Sequence, residues 1–161
     1  MEDLTGLKRW WVVDSNADII NCISKINNKN AARNISTHDF STLYTSIPHE
    51  KLKLALKNII NKTFVATDKK FITVYNKEAQ FTSNRSCNKV SFGRQQLIEM
   101  VVFLIDNTYF RCGGMIMKQN IGIPMGTDPG PDFANLFLHF YEFDFMEQNS
   151  RIQYSTCKKA K

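Results

Sequence analysis

The sequence predicts an α+β domain spanning residues 1–161, and three observations lead to that fold class. Apolar residues recur at helical spacing in three segments, and a fourth that begins at Pro131 is apolar nearly all round, which predicts four helices. Short runs rich in β-branched and aromatic residues, bounded by turn formers, predict strands and two hairpins. With 43% hydrophobic residues and 12 Phe among 161 residues, the chain has enough apolar material for a buried core.

The first predicted elements are a strand or a packed edge at Trp10 to Val13 and a helix that follows it. Ser15-x-x-Asp18 has the form of a helix start, because a Ser side chain can accept a hydrogen bond from a backbone N–H of the first turn. The Asn-rich cluster from Asn27 to Asn30 ends this helix. Its buried face is predicted to carry Ile19, Cys22, Ile23 and Ile26.

A strand over residues 35–39 and a second helix come next. Ile35, Thr37 and Asp39 share one side of a two-residue repeat, so the strand carries its face up to the Asp39 carboxylate and stops there. Ser46 is the expected N-cap of the following helix, with Pro48 in its first turn, and the helix is expected to end near Lys62. Its buried face is predicted to comprise Leu52, Leu56, Ile59 and Ile60.

Two hairpins and another helix occupy the middle of the chain. Residues 71–82 predict a hairpin insertion in which Phe71–Tyr75 and Ala79–Thr82 flank an Asn-Lys-Glu turn. Ser91 is the candidate cap of a helix with its buried face at Leu97, Val101, Leu104 and Ile105. Gly113-Gly114 then predicts a tight hairpin between residues 109–112 and 115–119, since glycine accepts a positive φ.

A bend rich in glycine and proline comes next, and a helix follows it. Three glycines and three prolines between Gly122 and Pro131 allow the main chain to approach a ligand closely. A complicated turn with no ligand explains the same composition equally well. The helix is expected from Pro131 to Met146, and its aromatic and aliphatic residues predict that it is buried nearly all round.

The net charge and the cysteines limit the binding partners and the cellular compartment that the sequence favours. The net charge of +6 favours an anionic partner, of which nucleic acid is the commonest, although scattered lysines also occur on any solvated surface. The cysteines show no CxxC pair, which argues against a zinc site and favours an intracellular compartment, either nucleus or cytoplasm. The longest apolar run, Leu97 to Ile105, is too short to span a bilayer, so no membrane association is expected.

Asp39 is the first candidate for chemistry. A carboxylate at a strand end can hold Mg²⁺, which takes oxygen ligands and usually only one or two of them from protein. The alternative is an Asp that caps backbone donors in a turn between a strand and a helix. From these residues alone, the capping role is the commoner of the two.

Two segments resemble motifs of reverse transcriptases. Residues 35–48, ISTHDFSTLYTSIP, are similar to motif A, in which an Asp precedes an aromatic residue by five positions and a short Ile-Pro turn follows. Residues 122–137, GIPMGTDPGPDFANLF, are similar to motif B, and the glycine hairpin before them also has its counterpart in the family. The sequence of the first segment looks most like the reverse transcriptases of Penelope-like elements and their relatives in animal genomes.

The resemblance implies a partial polymerase palm with some of the fingers, and it implies roles for five residues. Asp39 would ligate the catalytic Mg²⁺ with help from the Phe40 carbonyl. Tyr44 would lie under the sugar of the incoming deoxynucleotide and exclude a 2′-hydroxyl by clash. Met125 and Gly126 would lie beside the nascent base pair. The implied partners are an RNA or DNA template-primer and a deoxynucleoside triphosphate.

One part of the family pattern is missing, because the 161 residues contain no Asp-Asp pair of the kind that forms motif C. Nucleotidyl transfer uses two metal ions roughly 3.5 to 4 Å apart, and a single carboxylate cannot hold both. We therefore expect a fragment of a retroelement reverse transcriptase that is inactive alone. The alternatives are a nucleic-acid-binding remnant without catalysis and a decayed, aggregation-prone chain. The oligomeric state is not predicted.

Overall fold

A computed structural model of the chain describes residues 12–13, 15–28, 39–76, 78–124, 126–148 and 159–160. The predicted α+β class is confirmed, with small antiparallel sheets packed on helices. The chain divides into two compact units, the first holding the described residues up to Ser41 and from Glu142 onward, and the second holding residues 42–141. The elements in chain order are β1 (Val12–Val13), α1 (Asn16–Asn28), α2 (Leu43–Ser46), α3 (His49–Thr67), β2 (Phe71–Tyr75), β3 (Glu78–Thr82), β4 (Ser91–Gly93), α4 (Arg94–Asp106), β5 (Tyr109–Cys112), β6 (Met115–Lys118), α5 (Gly130–Gln148) and β7 (Lys159–Ala160).

In the first unit, the predicted start of α1 is confirmed. The backbone N–H of Asp18 donates to Ser15 Oγ at 3.4 Å, and Ser15 Oγ in turn donates to an Asp18 carboxylate oxygen at 3.0 Å. Strand β1 lies within the predicted segment and pairs in parallel with β7. Of the predicted strand over residues 35–39, only Asp39 falls among the described residues, and it lies in no strand.

The predicted cap of the second helix is wrong. Ser46 is the last residue of the short helix α2, where its Oγ donates to the Thr42 carbonyl at 2.6 Å, so it is not free to cap the next helix. Pro48 occupies the N-cap position of α3, and the helix continues past Lys62 to Thr67. Asp68 then ends α3 in the left-handed conformation and donates its N–H to the Val65 carbonyl.

The three-stranded sheet has the order β3-β2-β4 and is antiparallel throughout. The predicted hairpin of β2 and β3 is confirmed, but the prediction that Ser91 caps a helix is wrong. Ser91 is a residue of β4, buried beside Thr73, and Gly93 takes the N-cap position of α4 with the Gln96 side chain accepting its N–H. The sheet packs on α3 through the edge-to-face pair of Phe64 and Phe81.

The second hairpin, formed by β5 and β6, is also confirmed, with Gly113 at φ +60° in its turn. Helix α5 begins at Gly130, one residue before the prediction, and runs to Gln148. The expectation that α5 is buried nearly all round is wrong, because Ala134 is buried while Leu136, Tyr141 and Phe145 are exposed. Across the described residues, no helix has both the length and the apolar character needed for a bilayer crossing.

The core of the second unit draws on residues far apart in the chain. Its buried members come from the α2–α3 connection, α3, α4, the bend before α5, and α5 itself, and they are Ile47, Leu52, Leu56, Ile105, Ile123 and Ala134. Leu43, Tyr44, Val101, Phe133 and Phe137 pack against this cluster. The core therefore joins the segment after Asp39 to the glycine- and proline-rich bend.

Candidate functional site

Asp39 and Phe40 belong to the first unit, and both are exposed. The Asp39 carboxylate accepts the backbone N–H of Phe40 at 2.8 Å through Oδ1. This bond is the capping of a backbone donor that the sequence analysis gave as the commoner role of Asp39. The carboxylate itself is exposed at the surface. Among the residues that the structure describes, no group of three or more His, Cys, Asp or Glu side chains is placed to share a metal ion. Asp39 and the Phe40 carbonyl would supply the one or two protein ligands that Mg²⁺ usually takes.

Tyr44 lies in the second unit and is half-buried in α2. Its side chain packs against the core cluster, so the ring has a structural role whatever else it contacts. Its backbone carbonyl accepts the N–H of Ile123. Tyr44 thereby contacts the second motif through its main chain.

The two segments that resemble motifs A and B meet at a backbone junction in the second unit. The Gly122 N–H donates to the Ile47 carbonyl at 2.8 Å, and Pro48 and Ile121 form an isolated antiparallel bridge. His49 Nε2 lies 2.8 Å from the Gly122 carbonyl. Because a carbonyl only accepts, Nε2 is the nitrogen that carries the proton in this contact. We call this set of contacts between residues 44–49 and 121–123 the junction.

Gly122 is the residue whose backbone the junction constrains most. Its φ is +83°, a conformation that costs other residues energy because their Cβ crowds the backbone. A Cβ placed on Gly122 would lie 2.6 Å from the Tyr44 carbonyl oxygen and 2.9 Å from Thr45 Cα. Both neighbours are main chain, so neither can rotate away. The junction therefore requires glycine at this position.

The bend that follows folds back on itself before α5 begins. Thr127 Oγ1 donates to the Pro124 carbonyl at 3.1 Å, and the Gly130 N–H donates to the Thr127 carbonyl at 3.0 Å. A Cβ on Gly130 would collide with the Pro124 carbonyl oxygen. Gly126 is different, since it is exposed and, apart from its chain neighbours, no atom of the described residues lies within 4 Å of where its Cβ would be. Met125 lies outside the described residues.

A cavity of about 240 Å³ lies beside the junction, wholly within the second unit. Its walls come from the start of α3, the end of α4, the start of β5, the bend and the first turn of α5. His49 and Gly122 line it, so the junction forms part of its wall.

An ion-pair group ties α3 to α4 near this cavity. Lys53 Nζ lies 2.6 Å from Glu50 Oε1 and 2.9 Å from Asp106 Oδ1. Hydrogen bonds to Glu50 and then Asp106 raise the pKa of Lys53, and the bond from Lys53 holds the pKa of the Asp106 carboxyl below its ordinary value. Lys53 and Asp106 therefore both stay charged at neutral pH. Their contact joins α3 to α4, and both helices contribute residues to the cavity wall.

Sequence reasoning missed His49 and the particular importance of Gly122. Gly122 opens the second of the segments already singled out, and His49 lies one residue beyond the end of the first, directly after its Ile-Pro turn. The sequence did not show that these two segments pair with each other in the fold. Comparison with known proteins finds no matching family model, no matching curated protein and no matching solved structure.

Proposed function

We propose that the chain contributes part of the nucleotide-binding palm of a reverse transcriptase, which transfers nucleotides to a primer 3′-OH on an RNA or DNA template. Two separate segments of the sequence resemble motif A and motif B of that family. A catalytic palm needs these motifs side by side, because one carries the metal ligand and the other lies along the nascent base pair.

The observation that carries the proposal is the junction. Residues 44–49 and 121–123 lie far apart in the chain, yet they exchange three main-chain contacts and one side-chain contact. The Gly122 conformation that permits this pairing is open to glycine and strained for other residues. Packing of unrelated hydrophobic segments would not demand a glycine within reach of the Tyr44 carbonyl.

In this proposal, the exposed Asp39 carboxylate and the Phe40 carbonyl would hold Mg²⁺, and the ion would supply positive charge for the triphosphate of a deoxynucleotide. The bound ion would neutralise phosphate charge and polarise the phosphoryl oxygen. Tyr44 supports the sugar and discriminates against a 2′-hydroxyl. The resemblance implies that Met125 and Gly126 would lie next to the nascent base pair, where the absence of a side chain on Gly126 leaves space for a base or backbone.

Catalysis needs a second metal ion, and its carboxylate ligands have no counterpart in a sequence without an Asp-Asp pair. We therefore propose that the chain binds Mg²⁺-deoxynucleotide but does not extend a primer by itself. The missing ligands would come from another polypeptide segment.

The test compares Asp39→Asn with Asp18→Asn, which removes an exposed carboxylate from α1. Binding of a deoxynucleoside triphosphate is measured by equilibrium dialysis with and without Mg²⁺. We expect Asp39→Asn to weaken Mg²⁺-dependent binding on the order of tenfold, a factor that corresponds to about 1.4 kcal/mol. Asp18→Asn should bind as the unsubstituted chain does. Equal affinities for the two variants would contradict the proposed metal role, and primer extension by the chain alone would contradict its inactivity.

A second function, nucleic-acid binding without catalysis, is favoured by one face of the β5–β6 hairpin. Tyr109 pairs with Lys118 and Arg111 pairs with Ile116, so these four exposed side chains share one face. No acidic residue occurs from Asn107 to Thr127. An aromatic ring beside two cations suits a base and its phosphates. Salt-dependent RNA binding that survives Asp39→Asn, with no Mg²⁺-dependent nucleotide binding, would favour this function over the first.

A further inference from the structure

The cavity beside the junction is open to solvent on one side, and parts of the chain that are distant in sequence line it. Its apolar walls are formed chiefly by Leu52, Leu104, Ile105, Ile123 and Phe133. Leu52, Ile105 and Ile123 are buried members of the core, so the floor of the cavity is rigidly packed. Leu104 is 45% exposed and lies at the boundary between the cavity and solvent.

Four of the polar side chains that line the cavity donate a hydrogen bond to a main-chain carbonyl. Asn107 Nδ2 donates to the Phe103 carbonyl at 2.8 Å, and Thr108 Oγ1 donates to the Leu104 carbonyl at 2.9 Å. Thr127 Oγ1 and His49 Nε2 are likewise engaged with the carbonyls of Pro124 and Gly122. A molecule in the cavity would meet chiefly apolar walls, together with the side-chain oxygens of Asn107, Thr108 and Thr127, which can accept a hydrogen bond.

Charge is absent from the described residues that line the cavity, since none of them is Lys, Arg, Asp or Glu. A carboxylate or phosphate brought into such a site would lose its hydration without gaining a Lys or Arg partner, which opposes its binding. Nucleotide phosphates and acidic metabolites are therefore poor occupants. An uncharged molecule pays no such cost.

Size narrows the choice of occupant further. An engineered apolar cavity of about 150 Å³ binds benzene, and this cavity, at about 240 Å³, is larger by more than half. The extra volume suits a second fused ring. The available acceptors suit a ring that carries one N–H or O–H donor.

We propose that this cavity is a binding site for an uncharged aromatic molecule of one or two rings that carries a single hydrogen-bond donor. Such a ligand would contact His49 and Leu52 on one side and Ile123 and Pro124 on the other, so it would touch both halves of the junction. Binding would therefore stabilise the junction, because the ligand favours the state in which both walls are in place. This site is separate from the proposed metal role of Asp39, and its test does not depend on polymerase chemistry.

Indole is the probe, since it is uncharged, has two fused rings and carries one N–H. Indole is titrated into the isotope-labelled chain, and the backbone amide shifts are followed by NMR. We expect saturable shifts confined to the cavity lining, and a melting temperature that rises with indole concentration. Indole-2-carboxylate, which has the same rings and a negative charge, should bind at least about tenfold more weakly because the lining offers the charge no partner.

Two variants and their matched controls locate the site. Leu104→Trp fills the mouth of the cavity with a larger ring, and Leu104→Lys places a charge there. Each should weaken indole binding by about tenfold or more. Leu54→Trp and Leu54→Lys make the same changes at a leucine of α3 that is 56% exposed and does not line the cavity, and both should bind indole normally.

Three outcomes would overturn the proposal. One is indole shifts that do not saturate or that spread over the exposed apolar surface. Another is equal weakening in the Leu104 and Leu54 variants, which would indicate a general effect on the fold. The third is equal affinity for indole and indole-2-carboxylate, because the uncharged lining could not then be the binding surface.

Discussion

At Gly122 the backbone φ is +83°, and the space that a side chain would need is taken by the main chain of Tyr44 and Thr45. Gly113 has a similar φ of +60°, but nothing lies within 4 Å of where its Cβ would be. The two glycines therefore separate two physical effects. Both carry the strain of a positive φ, and the junction glycine alone of this pair also faces a steric collision.

This difference predicts the effects of replacing each glycine with alanine. We expect Gly122→Ala to lower the free energy of unfolding by about 2 to 4 kcal/mol, since it combines backbone strain with displacement of α2. Gly113→Ala should cost about 1 kcal/mol, from strain alone. Urea denaturation followed by circular dichroism measures both. If Gly122→Ala cost no more than Gly113→Ala, the junction would not be under the tight constraint inferred here.

Among single elements, β4 illustrates how a short strand depends on its neighbours. Thr73 in β2 is fully buried, and its Oγ1 lies 2.9 Å from both Thr82 Oγ1 in β3 and Ser91 Oγ in β4. Ser91 Oγ also accepts the Ser86 N–H at 3.3 Å. This hydroxyl chain joins all three strands of the sheet, and Ser91 belongs to it rather than to a helix cap.

Removing the central hydroxyl should therefore weaken the sheet. Thr73→Val keeps the shape of the side chain but leaves the Thr82 and Ser91 hydroxyls without their shared partner, at an expected cost of about 1 to 3 kcal/mol in the free energy of unfolding. Val74→Thr, on the exposed face of the same strand, should change it by less than about 0.5 kcal/mol. Thermal melts of both variants provide the comparison. Equal stability of the two variants would mean that the hydroxyl chain contributes nothing to the sheet.

On the scale of the whole molecule, the buried core cluster lies entirely within residues 42–141. The core of the second unit thus has its own apolar residues, its own ion pair between α3 and α4, and its own sheet. A segment with a hydrophobic core of its own can in principle fold without the rest of the chain. The first unit contains none of the described members of that cluster.

We accordingly predict that residues 42–141, expressed alone, unfold in one cooperative transition. Leu52→Ala should lower the free energy of unfolding by about 3 kcal/mol in this segment and in the whole chain alike, because Leu52 is 1% exposed at the centre of the cluster. Leu54→Ala, on the exposed side of α3, should have little effect in either. A segment that shows no cooperative transition by calorimetry would mean that the second unit depends on residues outside it.

Much of the local structure could be predicted from the sequence because its causes are local. The glycine pair at Gly113-Gly114 and the turn between β2 and β3 define their hairpins within a few residues, and apolar spacing located α1, α3 and α4. The errors at Ser46 and Ser91 share one cause. Each serine stands where a helix cap would suit the sequence, but a tertiary or neighbouring partner takes its hydroxyl instead.

The sequence by itself determined the α+β class, both hairpins, and the two segments in which the candidate nucleotide-binding residues stand. Only the tertiary structure decided that the segment after Asp39 pairs with the bend at Gly122, that His49 supports this pairing, and that a cavity lies beside it. The physical reason is the separation in sequence over which each kind of interaction acts. Turn sterics and side-chain periodicity act over a few residues, whereas a hydrogen bond between Ile47 and Gly122 depends on the packing of α3, α4 and α5 around one shared core.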